Sequence, residues 1–204
     1  MKIIISLIMM MMASSVPSNE ILEKTAPETF KAKFVTTKGD FTITAHREWS
    51  PLGVDRLYQL IESGFYDNIC VFRVVDGFVA QFGIHDKQEV TEFWKKNSID
   101  DEPVKHSNKR GTISFARAGA KTRSSQLFIN FSNNTNLDNY NAGGVVGYPP
   151  IAEVTDGMDV VDDFYNKYGE KPSGAQGEIT TKGNSFLKEK FPKLDYILSA
   201  TIIK

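Results

Sequence analysis

Apolar and polar residues alternate near the start of the chain in the pattern of a β-hairpin. Between residues 41 and 45, apolar side chains alternate with threonines, which is the two-residue period of a strand with one buried face. This segment and the preceding one at 31–37 flank Lys38-Gly39-Asp40, a turn sequence that contains glycine. The pattern therefore predicts two antiparallel strands joined by a short turn.

The densest apolar stretch runs from Cys70 to Gly83 and predicts two short buried strands joined at Asp76-Gly77. Arg73 is the one charged residue within the first of these strands. Because a guanidinium keeps its proton, it needs hydrogen-bond acceptors or a solvent-filled cleft. An arginine in a strand is more often a surface or ion-pair residue, so this pattern alone leaves both a surface position and a groove open.

Two segments show the period of an amphipathic helix. The first begins at Ser50-Pro51, with serine as the N-cap and proline at the first helical position, and ends at Gly64. The second follows Asp156-Gly157 and ends near Gly169. The polar segment 84–110 is predicted to be a long surface excursion. Many short strands with two helices predict an antiparallel barrel or sandwich whose ends are covered by the helices.

Residues 1–15 predict a secretory signal peptide. One basic residue is followed by an apolar run to Met12 and then by Ala13-Ser14-Ser15, the order of regions in such a peptide. The run is shorter than the ~20 apolar residues of a membrane-spanning helix. Its composition disfavours two alternatives, a disordered tail and a mitochondrial targeting peptide. We expect residues 16–29 to be a linker and residues 30–204 to be the domain of an exported protein, periplasmic or secreted.

The charge of the chain and its cysteine and histidine content narrow the function classes. A net charge of -1 over 204 residues provides no basic field for nucleic acid and is compatible with a monomer. Cys70 is the only cysteine, so the chain has no intramolecular disulfide and no cysteine-based metal site. His46, His85 and His106 show no metal-ligand spacing. We therefore expect no metal site, no nucleic-acid partner and no stable membrane span.

Two sequence blocks occur together in a characteristic order. The first is Phe-Arg-x-x-x-x-Phe-x-x-Gln-x-Gly at residues 72–83, and the second comprises residues 111–119 and 124–130. These blocks resemble the signature of the cyclophilin family of peptidyl-prolyl isomerases. The resemblance covers about residues 30–204, and the tail at 169–195 looks most like exported bacterial members. It implies a mainly β fold, a closed cyclophilin-like barrel of eight antiparallel strands capped by two α-helices.

The resemblance also implies a groove for proline-containing polypeptides. Arg73 and Gln81 match the family's catalytic arginine and the amide that holds it. The substrate-binding residues implied by the match are Phe78, Ala116, Arg117, Gln126, Phe128, Leu137 and Tyr148. The apolar residues of this set would hold the proline ring, although without the match they would be ordinary core residues. No nucleophile, base or cofactor is expected, because an arginine N–H can stabilise a twisted peptide bond without proton transfer.

Several residues depart from the pattern of the family. Arg117 stands where many members carry Asn, which adds a charge at the groove. Asn136 falls where Trp or Phe is usual, which weakens one wall of the pocket, whereas Tyr148 occupies a position that is His or Tyr in relatives. Pro149-Pro150 occurs where a strand usually runs. Because proline cannot donate to a β-ladder, we expect an edge strand or a local break there.

Three functions are compatible with these patterns. The first is an exported peptidyl-prolyl isomerase that acts on X-Pro bonds in folding or unfolded proteins. The second is a cyclophilin-fold module that binds proline-containing segments with little turnover. The third is a barrel that binds a small apolar ligand, which predicts a closed apolar cavity instead of an open groove with polar walls.

Overall fold

The computed structural model describes residues 16–203, which form a mainly β structure. The predicted signal peptide, residues 1–15, lies outside the described residues. The strands in chain order are β1 (Thr29–Thr36), β2 (Gly39–His46), β3 (Ile69–Cys70), β4 (Arg73–Val75), β5 (Val79–Phe82), β6 (Thr112–Phe115), β7 (Leu127–Asn130), β8 (Asn141–Ala142), β9 (Val145–Val146), β10 (Pro150–Asp156) and β11 (Tyr196–Ile203). The α-helices are α1 (Pro51–Glu62), α2 (Gln88–Lys96), α3 (Met158–Asp162) and α4 (Gln176–Lys190). Short 3-10 helices span Asn19–Glu23, Thr135–Asp138 and Lys171–Ala175.

Nine of these strands form one curled antiparallel sheet in the order β3-β11-β1-β2-β10-β6-β7-β5-β4. The prediction of a closed eight-stranded barrel is therefore wrong, because the ladder is open and has nine strands. The first predicted strand of the apolar stretch is two strands: Cys70 pairs with Tyr196 on β11, and Arg73 pairs with Gln81 on β5. The chain leaves one edge of the sheet at β3 and joins the other edge at β4, and residues 71–72 connect the two. Val71 still donates a hydrogen bond to the carbonyl oxygen of Asp195 at 2.9 Å.

The predicted β-hairpin is confirmed as β1 and β2. The two strands pair from Thr29 opposite His46 to Thr36 opposite Gly39. Gly39 adopts a φ of +127° at the turn, a conformation in which a side chain would be strained. Phe34 and Phe41 are directly opposite each other, and their rings stack with centroids 4.9 Å apart. The alternation in the sequence thus identified the buried face of this hairpin correctly.

Helix α1 is confirmed, with Ser50 at the N-cap position and Pro51 as the first helical residue, but the Ser50 side chain makes no capping hydrogen bond. The hydroxyl of Ser50 donates to a carboxylate oxygen of Glu102. The same carboxylate accepts the backbone N–H groups of Leu52 at 2.9 Å and Gly53 at 3.0 Å. Glu102 therefore satisfies the free N–H groups of the first turn and places a negative charge at the positive end of the helix.

The prediction of two helices is wrong, because residues 16–203 contain four α-helices. The helix after Asp156-Gly157 is only α3, five residues long. Helix α2 lies within the segment 84–110 that was predicted to be a surface excursion. Its buried residues are Val90, Thr91 and Trp94, a narrow stripe among charged residues that is easily missed. Helix α4 contacts α2 and was likewise not predicted.

The main core fills the space between the curled sheet and α1, and a smaller apolar cluster lies beneath α4. The smaller cluster comprises Cys70, Phe72, Ile84, Ile179, Leu187 and Leu194. Cys70 is buried, as predicted, and burial raises the pKa of its thiol. Ile21 and Ala26 belong to the main core, so the segment before β1 packs against the domain. Within residues 16–203, no helix is long and apolar enough to cross a membrane.

Candidate active site

The register of three neighbouring strands places four of the predicted site residues on one face of the sheet. Arg73 on β4 lies opposite Gln81 on β5, and Gln81 lies opposite Phe128 on β7. Directly opposed residues of antiparallel strands point to the same side. Gln126, two residues before Phe128, shares that side. Residues that are far apart in the sequence therefore converge because of strand pairing alone.

A row of hydrogen bonds joins the polar residues of this face. Nη1 of Arg73 donates to Oε1 of Gln81 at 3.0 Å, and Nε2 of Gln81 donates to Oε1 of Gln126 at 2.9 Å. Gln81 is buried, with 7% of its surface exposed, so its amide has little freedom to rotate. The guanidinium of Arg73 is thus held on one side by a fixed amide.

Glu170 holds the other side of the guanidinium, and sequence analysis did not identify it. Nε of Arg73 donates to Oε2 of Glu170 at 2.7 Å, and Nη2 donates to Oε1 at 2.6 Å. This is the two-point geometry in which arginine binds carboxylates most strongly. The hydrogen bond from Arg73 lowers the pKa of Glu170. The carboxylate follows α3 by several residues, in a polar stretch whose pattern gives no sign of the contact.

A cavity of about 400 Å³ opens beside Arg73. All of the predicted site residues except Gln126 line it, and they are joined by Val79, Asn136 and Tyr140. Gln126 instead lines a neighbouring cavity of about 880 Å³. The smaller cavity has an apolar floor, and the guanidinium of Arg73 and the amide of Gln81 form one of its walls. It is therefore an open groove with polar walls.

The apolar floor of this cavity is a cluster of Val79, Phe128 and Leu137, with Phe78 and Tyr148 packed against it. The rings of Phe128 and Tyr148 meet edge to face at 5.7 Å. The guanidinium carbon of Arg73 lies 5.5 Å from the centre of the Phe78 ring. A small apolar ring bound on this floor would therefore lie next to a hydrogen-bond donor.

Tyr140 supplies an aromatic wall that the sequence did not predict. It is 55% exposed, and its ring stacks on that of Tyr148 at 6.3 Å. Asn136, which stands where relatives carry Trp or Phe, also lines the cavity. Tyr140 was overlooked because it lies in a segment rich in Asn and Gly that was interpreted only as a loop.

The charge of Arg117 is buried instead of being displayed at the groove. Its side chain has 0% exposure and lies 3.4 Å from Asp101. Nη2 donates to the carbonyl oxygen of Val145 at 2.9 Å, and the guanidinium carbon lies 4.8 Å from the centre of the Tyr148 ring. Arg117 therefore supports the wall that contains Tyr148. The backbone N–H of Ala116 donates to the carbonyl oxygen of Gln126 at 2.9 Å.

A buried polar network supports the wall of the cavity that contains Tyr148. Asp138 accepts hydrogen bonds from the hydroxyl of Ser107 and, at 2.8 Å each, from the backbone and side-chain N–H groups of Asn108. Asn108 also donates to the carbonyl oxygen of Tyr148 at 2.8 Å. Although burial alone would raise it, the pKa of Asp138 is lowered by the hydrogen bonds from Ser107 and Asn108. The network fixes Asp138, which directly follows the cavity residue Leu137.

The break expected at Pro149-Pro150 is confirmed. Pro150 is the first residue of β10 and lies opposite Ser114 on β6. The register shifts between Pro150 and Ala152, so the proline occupies an irregular position where no donor is required. The strand is not at an edge, because β10 lies between β2 and β6.

Comparison with known proteins identifies the family. The model of the family described as "Cyclophilin type peptidyl-prolyl cis-trans isomerase/CLD" matches residues 31–186. The chain belongs to this family of enzymes that interconvert the cis and trans forms of prolyl peptide bonds. It is 31% identical over 182 residues to peptidyl-prolyl cis-trans isomerase B of Escherichia coli, covering 83% of this chain and 97% of that protein. A Helicobacter pylori peptidyl-prolyl cis-trans isomerase is 36% identical over 121 residues, covering 58% of this chain and 71% of that protein.

Solved structures support the same fold. A Cryptosporidium parvum cyclophilin type peptidyl-prolyl cis-trans isomerase has a TM-score of 0.62 at 19% identity, covering 86% of this chain and 98% of that one. A structure of that protein determined in the presence of the dipeptide Ala-Pro has a TM-score of 0.61 at 20% identity, covering 85% and 99% of the two chains. The fold of this chain is therefore the cyclophilin fold, with a curled half-barrel sheet and few helices.

Proposed function

We propose that this peptidyl-prolyl isomerase works by electrostatic stabilisation of a twisted peptide bond, with Arg73 as the donor. Amide resonance gives a peptide bond a rotational barrier of ~18–20 kcal/mol, and X-Pro bonds exchange over ~10–100 s at room temperature. Twisting the bond localises the lone pair on the prolyl nitrogen. A donor aimed at that nitrogen stabilises the twisted state more than either planar state, which is the requirement for catalysis.

The observation that carries this proposal is the position of Arg73 beside the apolar floor of the cavity. Its guanidinium carbon is 5.5 Å from the Phe78 ring, and the cavity floor contains Phe128 and Leu137. A proline ring on that floor would bring its nitrogen towards the guanidinium. No step requires proton transfer, because the donor keeps its proton throughout.

The remaining groove residues are assigned to binding the peptide on either side of the proline. Gln81 and Gln126 present amides that can accept or donate hydrogen bonds to peptide groups of the substrate. The backbone at residues 116–117 would bind the peptide as an added strand. Tyr148 closes the socket, and its ring is supported by Arg117 at 4.8 Å.

We also propose that the enzyme assists the folding of exported proteins in the periplasm or outside the cell. The support is the order of basic, apolar and small residues in the segment 1–15. Expression of the full chain followed by cell fractionation and N-terminal sequencing tests this role. An exported product that starts after the apolar run is expected, and a full-length cytosolic product would contradict it. The mature chain should sediment as a monomer.

The mechanism is tested by measuring exchange of an Ala-Pro peptide by NMR with the wild type and Arg73→Ala. Removing one donor to a developing charge typically costs roughly 10²–10³-fold in rate, so we expect a loss of that size. Peptide binding should be weakened much less, because the apolar floor remains. A wild-type protein that binds the peptide without accelerating its exchange would instead be a proline-binding module.

A further inference from the structure

The segment that contains Glu170 and Gln176 touches the row of site residues at both of its ends. These two residues flank the 3-10 helix Lys171–Ala175. Glu170 accepts two hydrogen bonds from Arg73, at 2.7 and 2.6 Å. Gln176 accepts one from Nε2 of Gln126 at 3.0 Å. The 3-10 helix is therefore attached to the first and last members of the row that runs from Arg73 through Gln81 to Gln126.

The backbone holds this segment against the strand that bears Arg73. Gly169 forms an isolated antiparallel bridge with Val74, the residue after Arg73. Pro172, inside the 3-10 helix, is buried. These contacts place the Glu170 backbone next to β4, where its carboxylate reaches the guanidinium. The fold thus holds the backbone on both sides of the ion pair, although the Glu170 side chain is 60% exposed.

A count of donors shows that Glu170 leaves the guanidinium able to bind substrate. Arginine has one N–H at Nε and two at each terminal nitrogen. Glu170 takes the Nε–H and one N–H of Nη2, and Gln81 takes one N–H of Nη1. One N–H therefore remains on each terminal nitrogen. The contacts restrain the side chain and leave its end with two donors.

We propose that Glu170 and Gln176 are positioning residues for prolyl isomerisation. This inference rests on the proposed role of Arg73. Electrostatic catalysis depends on donors that are aimed before the reaction begins, and the arginine side chain has many rotamers in the absence of restraints. Glu170 restrains the guanidinium directly. Gln176 restrains it indirectly, because it orients the Gln126 amide, which in turn orients Gln81.

The experiment compares kcat and KM for Ala-Pro exchange in Glu170→Gln, Gln176→Ala and the matched control Glu178→Gln. Glu178 is an exposed residue of α4 whose side chain has no hydrogen-bond or ion-pair partner among residues 16–203. Misplacing a catalytic group costs up to about 10²-fold in rate. For a partial loss of restraint we expect kcat to fall about tenfold in Glu170→Gln and about threefold in Gln176→Ala. KM should change less than about twofold, and Glu178→Gln should match the wild type.

Two further measurements separate positioning from other roles. When Glu170→Gln is combined with Arg73→Ala, no additional loss is expected, because Glu170 acts only through the arginine. In ¹H–¹⁵N spectra, the Nε–H signal of Arg73 should move upfield and exchange faster with solvent in Glu170→Gln, since its carboxylate acceptor is gone. The signal should be unchanged in Glu178→Gln.

The outcomes distinguish this inference from the proposed mechanism. Full activity in Arg73→Ala would overturn the mechanism itself. A large loss in Arg73→Ala together with wild-type kcat in Glu170→Gln would leave the mechanism standing and overturn the positioning role. A faster Glu170→Gln enzyme would mean that the carboxylate sequesters the arginine from substrate, which also overturns the inference.

Discussion

Replacing Asp138 by alanine should destabilise the protein through the fully buried Asn108. The substitution removes three hydrogen bonds, one from Ser107 and two from Asn108. Asn108 has 0% exposure, so its backbone N–H and one side-chain N–H lose their acceptor where water does not replace it. The other side-chain N–H keeps the carbonyl oxygen of Tyr148. Leaving buried donors unsatisfied costs ~1–3 kcal/mol each. Because neighbouring groups can relax, we expect a total loss of ~3 kcal/mol in the free energy of unfolding.

A loss of this size is measurable by urea and thermal unfolding. For a domain of this length, ~3 kcal/mol corresponds to a fall in Tm of roughly 6–12 °C. The m value in urea should be unchanged, because the surface exposed on unfolding is the same. The matched control is Asp156→Ala, since Asp156 is exposed at the end of β10, and it should shift the stability by less than ~0.5 kcal/mol.

The same residue predicts a pH dependence. The folded-state pKa of Asp138 is lowered, so its charged form contributes stability that is fully present above the unfolded pKa of 3.8. That contribution is lost as pH falls through the folded pKa. The stability difference between the wild type and Asp138→Ala should therefore be largest near neutral pH and should narrow in acid. Equal stability of the two proteins at pH 7 would refute the role assigned to this network.

Two further predictions concern the walls of the cavity. Phe128→Ala should raise KM for Ala-Pro peptides about tenfold, equivalent to ~1.4 kcal/mol of binding. The effect on kcat should be smaller, because the change removes one ring of the apolar floor and leaves Arg73 in place. If KM is unchanged and circular dichroism shows that the variant is folded, the proline ring does not bind against Phe128. Arg117→Asn should lower the free energy of unfolding by ~1–2 kcal/mol, because Asp101 and Tyr148 both lose their contact with the guanidinium. If this variant unfolds at the same temperature as the wild type, the buried ion pair contributes nothing to stability.

Local patterns predicted those parts of the fold whose residues contact near neighbours in the sequence. The alternation in β2 and the helical spacing of α1 depend on single elements, and both were recognised correctly. The stretch from Cys70 to Gly83 was also recognised as buried strands. Its division into β3 and β4 was not predicted, because that division depends on pairing with β11 at one end and β5 at the other.

The site was predictable where strand pairing creates it and unpredictable where polar segments reach it from elsewhere. Arg73 and Gln81 stand out because they interrupt an apolar stretch. Glu170 and Gln176 lie in a polar stretch in which every neighbour is equally suited to solvent, so no periodicity singles them out. The pair Asn108 and Asp138 is hidden for the same reason, since burial of a polar residue is decided by packing from several distant elements.

The central claim is that Arg73 lowers the rotational barrier of the prolyl bond by donating a hydrogen bond to its nitrogen. The most direct test is the exchange rate of an Ala-Pro peptide with wild type and Arg73→Ala at equal peptide occupancy. The account predicts acceleration by the wild type and a loss of roughly 10²–10³-fold in the variant. Equal acceleration by both proteins would contradict it, because the rate enhancement would then come from the cavity without the arginine.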